Sequence, residues 1–153
     1  MTDTELRVSK IENGTVIDHI AGGQALNVLA ILGIDGSSGE EVSVGMNVPS
    51  DRLGRKDIVK VEGRELSQNE VDVLSLIAPA ATINIVREFD VVEKHRVSRP
   101  ESVLGVLSCP NANCITTENE PVESRFDVLD EGVRCAYCDT IIRESLAAHI
   151  SVA

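Results

Sequence analysis

The chain has 153 residues, of which 42% are hydrophobic and only 2% aromatic, and 25 acidic against 14 basic residues give it a formal net charge of −11. This charge argues against a general nucleic-acid binder, which needs a basic face for the phosphates. No run of about 18 apolar residues predicts a membrane-spanning helix, and residues 1–10 lack the basic and apolar regions of a signal peptide, so we expect a cytoplasmic protein that binds neither nucleic acid nor membrane.

The first 94 residues predict, in chain order, a strand, a helix, two strands, a second helix and one or two further strands. Alternating apolar residues and turn signals predict the strands, and apolar residues at helical spacing predict the helices. The first helix is expected to end at Gly33, a common residue after a helix C-terminus. The predicted elements span 8–20, 24–33, 41–48, 57–63, 66–79 and 81–94, with a polar connection at 49–56.

The start of the second helix is predicted by two local patterns. Ser67 and Glu70 have the S-x-x-E spacing of a capping box, and Leu66 and Val71 stand at the two positions of a hydrophobic staple. Pro79 marks its end, because the residue before a proline is disfavoured in helical conformation. This is the most strongly specified helix of the chain.

The order β-α-β-β-α-β, with or without an extra edge strand, predicts an α+β fold of the ferredoxin-like kind, in which an antiparallel sheet has two helices on one face. Residues 95–102 contain a proline and no apolar periodicity, so we place a domain boundary there. The predicted domains span 1–97 and 103–153. Short strands are predicted in the second domain at 103–108, 124–129, 132–135 and 140–144.

All four cysteines lie in the second domain, as Cys109-x4-Cys114 and Cys135-x2-Cys138 with twenty residues between the pairs. Two tight turns of this kind can point four thiolates at one ion, and a tetrahedral thiolate cage suits zinc. A complete set of four protein ligands leaves no open coordination position, so such a site is structural. We predict a zinc-ribbon-like domain with one structural Zn²⁺ per chain; a rubredoxin-type iron site, two disulfides and free thiols are the alternatives.

The metal is expected to fold the second domain, because about fifty residues rarely form a self-sufficient core. Residues 103–153 hold eight acidic and three basic residues. That surface is unfavourable for phosphate, so a protein partner is favoured over a nucleic-acid-binding zinc ribbon.

The basic residues of the first domain are concentrated in one short run. Arg52, Arg55, Lys56 and Lys60 stand against Asp57 alone, and the two lysines share one face of a strand because they are four residues apart. Lysine binds phosphate as a point charge. A polyphosphate ligand is therefore one interpretation, and a solvated strand whose lysines balance neighbouring acids is the other.

No catalytic constellation is recognisable. His19 is either a ligand contact or a polar edge residue. Its neighbour Asp18 should point to the opposite face of a strand, which disfavours a catalytic dyad. The sequence has no nucleophile elbow and no evident nucleophile–base pair, so a stand-alone enzyme is the weaker hypothesis.

Four blocks of the sequence resemble the regulatory chain of aspartate carbamoyltransferase. These are GTVIDHI at 14–20, MNVPSDRLGRKDIVKVE at 46–62, APAATIN at 78–84 and CPNANCI at 109–115, followed by the second cysteine pair. The resemblance runs from about residue 6 past the last cysteine. It implies that the chain is not an enzyme but the allosteric subunit of a carbamoyltransferase in pyrimidine biosynthesis.

The resemblance also implies ligands and partners. In that family the first domain binds CTP as an inhibitor and ATP as an activator, with UTP reinforcing CTP in some members. Regulatory-chain homodimers link two trimers of the catalytic chain, and the zinc domain contacts the catalytic chain.

By position, the resemblance assigns a nucleotide-binding set that also gives the lysine run a ligand-binding role. Asp18 and Lys60 would meet the ribose, Lys94 the triphosphate, and the backbone near Phe89 the base. Phe89 stands where a tyrosine is expected, and Lys10 and Ile85 also differ from the expected residues, so the nucleotide preference is open. The set is Ile11, Val16, Asp18, His19, Asn47, Lys56, Lys60, Asn84, Val86, Phe89, Val91 and Lys94.

Three of these positions, Asn47, Lys56 and Lys60, correspond to places that hold a second nucleotide or a metal ion with it. In the second domain the resemblance assigns the zinc ligands to the four cysteines. It assigns the contact with the catalytic chain to Asn111 and Asn113.

Overall fold

The computed structural model describes residues 11–37, 39–117 and 122–150. The beginning of the predicted first strand, at 8–10, lies outside these ranges. The first domain contains β1 (Gly14–Ala21), α1 (Ala25–Ile31), β2 (Val42–Ser50), β3 (Gly54–Glu62), α2 (Gln68–Ile77), β4 (Thr82–Arg87) and β5 (Asp90–Arg96).

The five strands form one antiparallel sheet in the order β2-β3-β1-β4-β5. Each helix connects two strands that have a third strand between them, as the ferredoxin-like order requires. Buried residues of both helices share one core with inward residues of β1, β3 and β4, including Ile17, Val59 and Ile83. The predicted α+β class is confirmed, with β5 as the extra edge strand. The opposite face of the sheet, the helix-free face, carries no helix from the part of the chain that the structure describes.

Both helix ends follow the local chemistry that the sequence predicts. The Ser67 side chain accepts a hydrogen bond from the backbone N–H of Glu70, and the Glu70 carboxylate accepts one from Ser67, which confirms the capping box. Gly33 has φ +70°, and its N–H donates to Ala30 while that of Ile34 donates to Leu29. These bonds form a Schellman motif that ends α1.

Two predictions about the first domain are wrong. The polar connection at 49–56 is mostly strand, because β2 and β3 form a hairpin whose turn occupies only 51–53 and whose exit residue Gly54 has φ +76°. Asp18 and His19 do not point to opposite faces, because a bulge lies between Ile17 and Ile20 and gives His19 a φ of +58°. Asp18 and His19 therefore lie together between the buried Ile17 and Ile20, and both side chains are on the helix-free face.

The second domain is a four-stranded antiparallel sheet in the order β6-β7-β8-β9, formed by Ser102–Leu104, Arg125–Leu129, Gly132–Cys135 and Ile141–Ile142. Phe126 is fully buried at its centre. One continuous buried cluster includes residues of both sheets, and the Arg99 side chain donates to the carbonyls of Leu129 and Asp130. All four predicted short strands are found, but the first covers Ser102–Leu104 rather than 103–108, and the two sheets pack as one body. Among the described helices, none has the length and apolarity needed to cross a membrane.

Candidate functional site

Four sulfur atoms converge in the second domain. Cys109 and Cys114 lie in the loop after β6, Cys135 ends β8, and Cys138 lies in the turn before β9. All four Sγ atoms are within 4.8 Å of one another, with 3.6 Å between Cys109 and Cys138 and 3.7 Å between Cys114 and Cys135. A tetrahedron with Zn–S bonds of about 2.3 Å has edges of about 3.8 Å, so the spacing fits a bound ion. It does not fit a disulfide, whose sulfurs are about 2.05 Å apart.

Threonine hydroxyls and the backbone orient the thiols. The Oγ1 atoms of Thr116 and Thr140 lie 3.1 Å from the Sγ atoms of Cys114 and Cys138 respectively. Each threonine is two residues after its cysteine, a repeated Cys-x-Thr pattern that the sequence analysis missed. Hydroxyls placed in this way can donate to a thiolate and fix the orientation of a metal ligand.

Burial and hydrogen bonding shift the pKa values of the thiols in opposite directions. Burial raises the pKa of Cys109 to about 12 and also raises the pKa of Cys135, whereas hydrogen bonding to Thr140 lowers the pKa of Cys138 to about 6. Two buried thiols that resist ionisation need a positive charge among them to become ligands. The donor set therefore fits a thiolate-bound metal.

The loop between Cys109 and Cys114 contains one asparagine whose side chain is hydrogen-bonded and one that is exposed. The Asn111 side chain accepts a hydrogen bond from the N–H of Asn113 at 2.9 Å, and its carbonyl accepts one from Cys114. Asn113 is exposed, as are the nearby apolar side chains of Ile115 and Tyr137. The cysteine cluster thus has beside it a small exposed surface of mixed polar and apolar side chains.

On the first domain, the register of the sheet aligns five outward residues in one row across all strands. Lys60 pairs with Ser43 and Val16, Val16 pairs with Asn84, and Asn84 pairs with Lys94. Side chains of directly paired residues share a face. Within the described residues, neither Lys60 nor Lys94 has an ion-pair partner.

A cavity of about 150 Å³ lies beside this row. It is lined by five of the twelve residues assigned from the resemblance: Ile11, Val16, Lys60, Val86 and Phe89. Val91 pairs with Val86 at its edge, where β4 and β5 also have a bulge. The N–H of Phe89 is already used, since it donates to the Glu12 carbonyl at 2.9 Å.

A second group of assigned residues lies further along the same face. Lys56 Nζ is 3.0 Å from Asp18 Oδ1, and His19 Nδ1 is 2.7 Å from Thr82 Oγ1. Burial lowers the pKa of His19, and the cations Lys56, Arg52 and Lys94 lower it further against the opposing effect of Asp18. His19 is therefore largely neutral near neutral pH and faces a cluster of positive charge. Asn47 lies in the bulge of β2 and is exposed.

One residue with many contacts was missed by the sequence analysis. Asp57 is fully buried, and its carboxylate accepts hydrogen bonds from the backbone N–H groups of Gly23, Ala25 and Asn47. Burial acts to raise the pKa of Asp57, but these N–H donors outweigh it and hold the pKa below the usual carboxyl range. In a strand whose residues alternate between apolar and polar, the sequence does not distinguish a buried aspartate from one that is exposed to solvent.

Comparisons with known proteins match this architecture in both domains. Residues 6–98 match the family model of the aspartate carbamoyltransferase regulatory chain, allosteric domain, and residues 101–147 match that of the metal-binding domain. A regulatory chain of this name from Natronomonas pharaonis is 89% identical, over 100% of this chain and 100% of its own length. The one from Haloarcula marismortui is 80% identical, over 97% of this chain and 96% of its own length. The one from Halobacterium salinarum is 65% identical, over 97% of both chains.

The fold and the cysteine site thus define a non-catalytic regulatory protein with an allosteric domain and a metal-binding domain. The chain belongs to the aspartate carbamoyltransferase regulatory chain family. The predicted family and the prediction that the chain is not an enzyme are confirmed.

Proposed function

We propose that this chain is the allosteric subunit of aspartate carbamoyltransferase in de novo pyrimidine biosynthesis. It binds CTP and ATP on the helix-free face of the first domain, and a zinc-folded second domain transmits the effect to catalytic trimers. The observation that carries the proposal is the cavity lined by Lys60 and Val16, in a chain of net charge −11 in which Lys60 and Lys94 have no acidic ion-pair partner among the described residues.

The base and the phosphates fit different parts of this face. The cavity is smaller than the roughly 300 Å³ of a typical site for a drug-sized ligand, so it takes the base, and the remainder of the nucleotide lies over the open sheet. Lys60 and Lys94 stand on either side of Val16 and Asn84 in one row. Two cations in that arrangement suit a polyphosphate, and lysine binds phosphate as a compact point charge.

Backbone groups at the cavity rim are suited to reading the base. The N–H of Phe89 is engaged with Glu12, so recognition there uses carbonyl oxygens and the apolar side chains. Carbonyl acceptors favour bases that present an exocyclic amino group, which cytosine and adenine share. This gives one site for two effectors, and different contacts in two states of the assembly give them opposite effects.

The end of the face around Asn47 and Lys56, together with Lys60, is the proposed place for a second nucleotide such as UTP, or for a metal ion that accompanies it. Lys56 is paired with Asp18 there. An additional anion would compete with Asp18 for Lys56, and a cation would compete with Lys56 for Asp18. Either ligand would change this ion pair.

Zinc is the proposed metal because four thiolates in a tetrahedral cage are its common structural site. Reduced thiols of this kind fit a cytoplasmic protein. Metal analysis of the purified chain should give one zinc per chain. A stoichiometric amount of iron instead would support the rubredoxin-type alternative.

The proposed protein partners use two different surfaces. Asn111 and Asn113 in the cysteine loop, with exposed Ile115 and Tyr137 beside them, form the contact with the catalytic chain. The homodimer uses the edge of the sheet that β2 forms among the described strands, because β2 carries no charged residue and exposes Val44 and Met46. The other edge, β5, carries five charged or histidine residues, and charged edges disfavour pairing.

Calorimetric titration of the zinc-loaded chain with CTP and with ATP tests the proposed function. One nucleotide of each kind should bind to a common site, and ATP should displace CTP in a competition titration. Lys60→Arg keeps the charge and serves as the control for Lys60→Ala, which should weaken both nucleotides. Absence of binding heat with either nucleotide, at millimolar concentration, would contradict the proposal.

A further inference from the structure

We propose that Asp57 is a positioning residue that couples the effector face of the first domain to helix α1 and, through α1, to the metal-binding domain. This inference rests on the proposed function. No role was assigned to Asp57 by the sequence, and its carboxylate is the buried acidic group that the proposed nucleotide contacts leave unused.

The first step is that one carboxylate accepts hydrogen bonds from two separate segments of the backbone. Asp57 Oδ2 accepts from Gly23 and Ala25 at 2.9 and 2.8 Å, and Oδ1 accepts from Asn47 at 2.8 Å. Gly23 belongs to the connection from β1 to α1, Ala25 is the first residue of α1, and Asn47 belongs to β2. Within the described ranges, Asp57 has no ion-pair partner, so backbone dipoles alone stabilise its charge.

The second step is the irregular backbone on both sides of Asp57. In β1 the register shifts between Ile17 and Ile20, and in β2 it shifts between Gly45 and Val48. His19 and Asn47, one in each bulge, have φ values of +58° and +56°. Left-handed backbone is strained for residues other than glycine, and such strain persists where the surroundings hold it. Asp57 lies between the two bulges and holds the second one directly.

The connection after β1 also approaches the bulge of β2. A Cβ on Gly22 would lie 2.9 Å from Asn47 Oδ1, so the connection that leads into α1 runs directly against the β2 bulge. Both bulges present proposed ligand residues outward, and Lys56, which is paired with Asp18, adjoins Asp57 in the chain. A nucleotide whose ribose contacts Asp18 would change that ion pair, and it therefore acts on the backbone that Asp57 fixes.

The third step is the position of α1 between the domains. Its C-terminal end, Ile31 to Gly33, lines a cleft of about 380 Å³ together with Val106 and Ile150 of the second domain. Its N-terminal end, at Gln24 and Asn27, lines another of about 530 Å³ with residues 145–148. A small displacement of the start of α1 therefore changes both clefts between this helix and the metal-binding domain.

The test replaces Asp57 by Asn in the reconstituted holoenzyme. The amide keeps the shape of the carboxylate but offers N–H donors where the backbone already donates. Nucleotide effects in allosteric proteins correspond to roughly 5- to 150-fold changes in affinity. In D57N the ratio of activity with saturating CTP to activity without it should move to about 1, while the Kd of CTP for the isolated chain changes by less than about tenfold.

Thr15→Val is the matched control, because the Thr15 hydroxyl is also buried in this sheet but donates to the Arg64 carbonyl, rather than accepting from the β2 bulge or the start of α1 as Asp57 does. It should lose stability but keep the CTP response. A wild-type response in D57N, or an equal loss of response in both variants, would overturn the proposal. If the wild-type chain itself binds no CTP, the proposed function fails instead, before Asp57 is tested.

A second measurement requires no variant. Adding CTP to the wild-type chain should change the amide NMR signals of Gly23, Ala25 and Asn47, and also those of α1 as far as Ile31. Amide signals that change only on the helix-free face, with α1 unaffected at saturation, would overturn the proposal even if D57N does not fold.

Discussion

Single charged residues decide where an anion can bind in this acidic chain. Lys56 is neutralised by Asp18 at 3.0 Å, whereas Lys60 and Lys94 have no ion-pair partner among the described residues. An unpaired lysine in a chain of net charge −11 is available for a ligand without first breaking an ion pair. The proposed phosphate contacts therefore belong to these two lysines.

Lys94→Ala should weaken CTP binding by about tenfold without unfolding the chain, because a hydrogen bond to a charged group contributes about 1.5 kcal/mol or more. Calorimetry measures the Kd, and circular dichroism verifies the fold. Arg134→Ala removes the same charge from the second domain and should leave the Kd unchanged. Equal affinity in wild type and Lys94→Ala would remove Lys94 from the proposed site.

Asp57 predicts a dependence of stability on pH. Its pKa in the folded chain lies below the value of about 3.9 for a free aspartate. A depressed carboxyl pKa stabilises the folded state above the unfolded pKa, and this contribution is lost as the pH falls through the folded value. The stability difference between wild type and Asp57→Asn, about 2–3 kcal/mol near pH 7, should therefore shrink below about pH 4.

Urea unfolding followed by circular dichroism from pH 7 to pH 3 measures this difference. Asp51→Asn, at an exposed turn position, is the control and should change stability by less than about 0.5 kcal/mol at every pH. A constant difference between wild type and Asp57→Asn across the whole range would contradict the assigned effect of ionisation.

At the scale of elements, the regular parts of both domains were predictable and the irregular parts were not. The capping box at Ser67 and the helix end at Gly33 are short patterns whose chemistry is local, so they are visible in the sequence. In the bulge at Asn47, the backbone N–H donates to the carboxylate of Asp57, which lies on another strand. Such a long-range contact leaves no periodic signal in a single sequence.

The same distinction holds for the candidate sites. The spacing of the cysteines predicts the sulfur cluster, because each pair needs only a tight turn. Residues of the cavity, such as Val16 and Phe89, are ordinary apolar side chains, and only the resemblance to a known family singled them out. Sheet register explains how Val16, Asn84 and Lys94 lie in one row, and register cannot be derived from strand patterns alone.

Metal removal should unfold one sheet and spare the other. Structural zinc in small domains contributes roughly 10–16 kcal/mol of apparent free energy, which matches or exceeds the total stability of about 5–15 kcal/mol of a typical domain. After chelation under reducing conditions, hydrogen exchange should become fast in β6–β9 and stay slow in β1–β4. Slow exchange throughout the second sheet after complete metal loss would contradict the structural role.

Cys138→Ala tests the same role without a chelator. It should lose the metal and fail to co-elute with catalytic trimers, whereas Ser108→Ala, next to Cys109, should retain both. Normal assembly of metal-free Cys138→Ala would show that the partner contact does not require the metal, and would contradict this prediction.

At the scale of the whole molecule, the net charge of −11 has opposite effects on stability and on effector binding. Self-repulsion among acidic residues destabilises the compact state, and salt screens it, since the Debye length falls from about 10 Å at 0.1 M to about 3 Å at 1 M. The same screening weakens the attraction between lysines and phosphates. Stability and nucleotide affinity should therefore change in opposite directions.

Raising KCl from about 0.1 M to about 1 M should increase the midpoint of thermal unfolding and increase the Kd for CTP. Sucrose at matched viscosity controls for effects unrelated to charge on the Kd. A midpoint that does not change with KCl would show that charge repulsion contributes little to the stability of this chain.

The central claim concerns both domains. A nucleotide bound on the first sheet is proposed to change the activity of the catalytic chain that the metal-folded second sheet contacts. The most direct measurement reconstitutes the zinc-loaded chain with its catalytic subunit and titrates CTP and ATP while carbamoyl-aspartate formation is followed. The account predicts that each nucleotide changes the rate in the reconstituted complex and leaves isolated catalytic trimers unaffected. Rates that stay constant in a complex shown by sizing to contain both chains would contradict it.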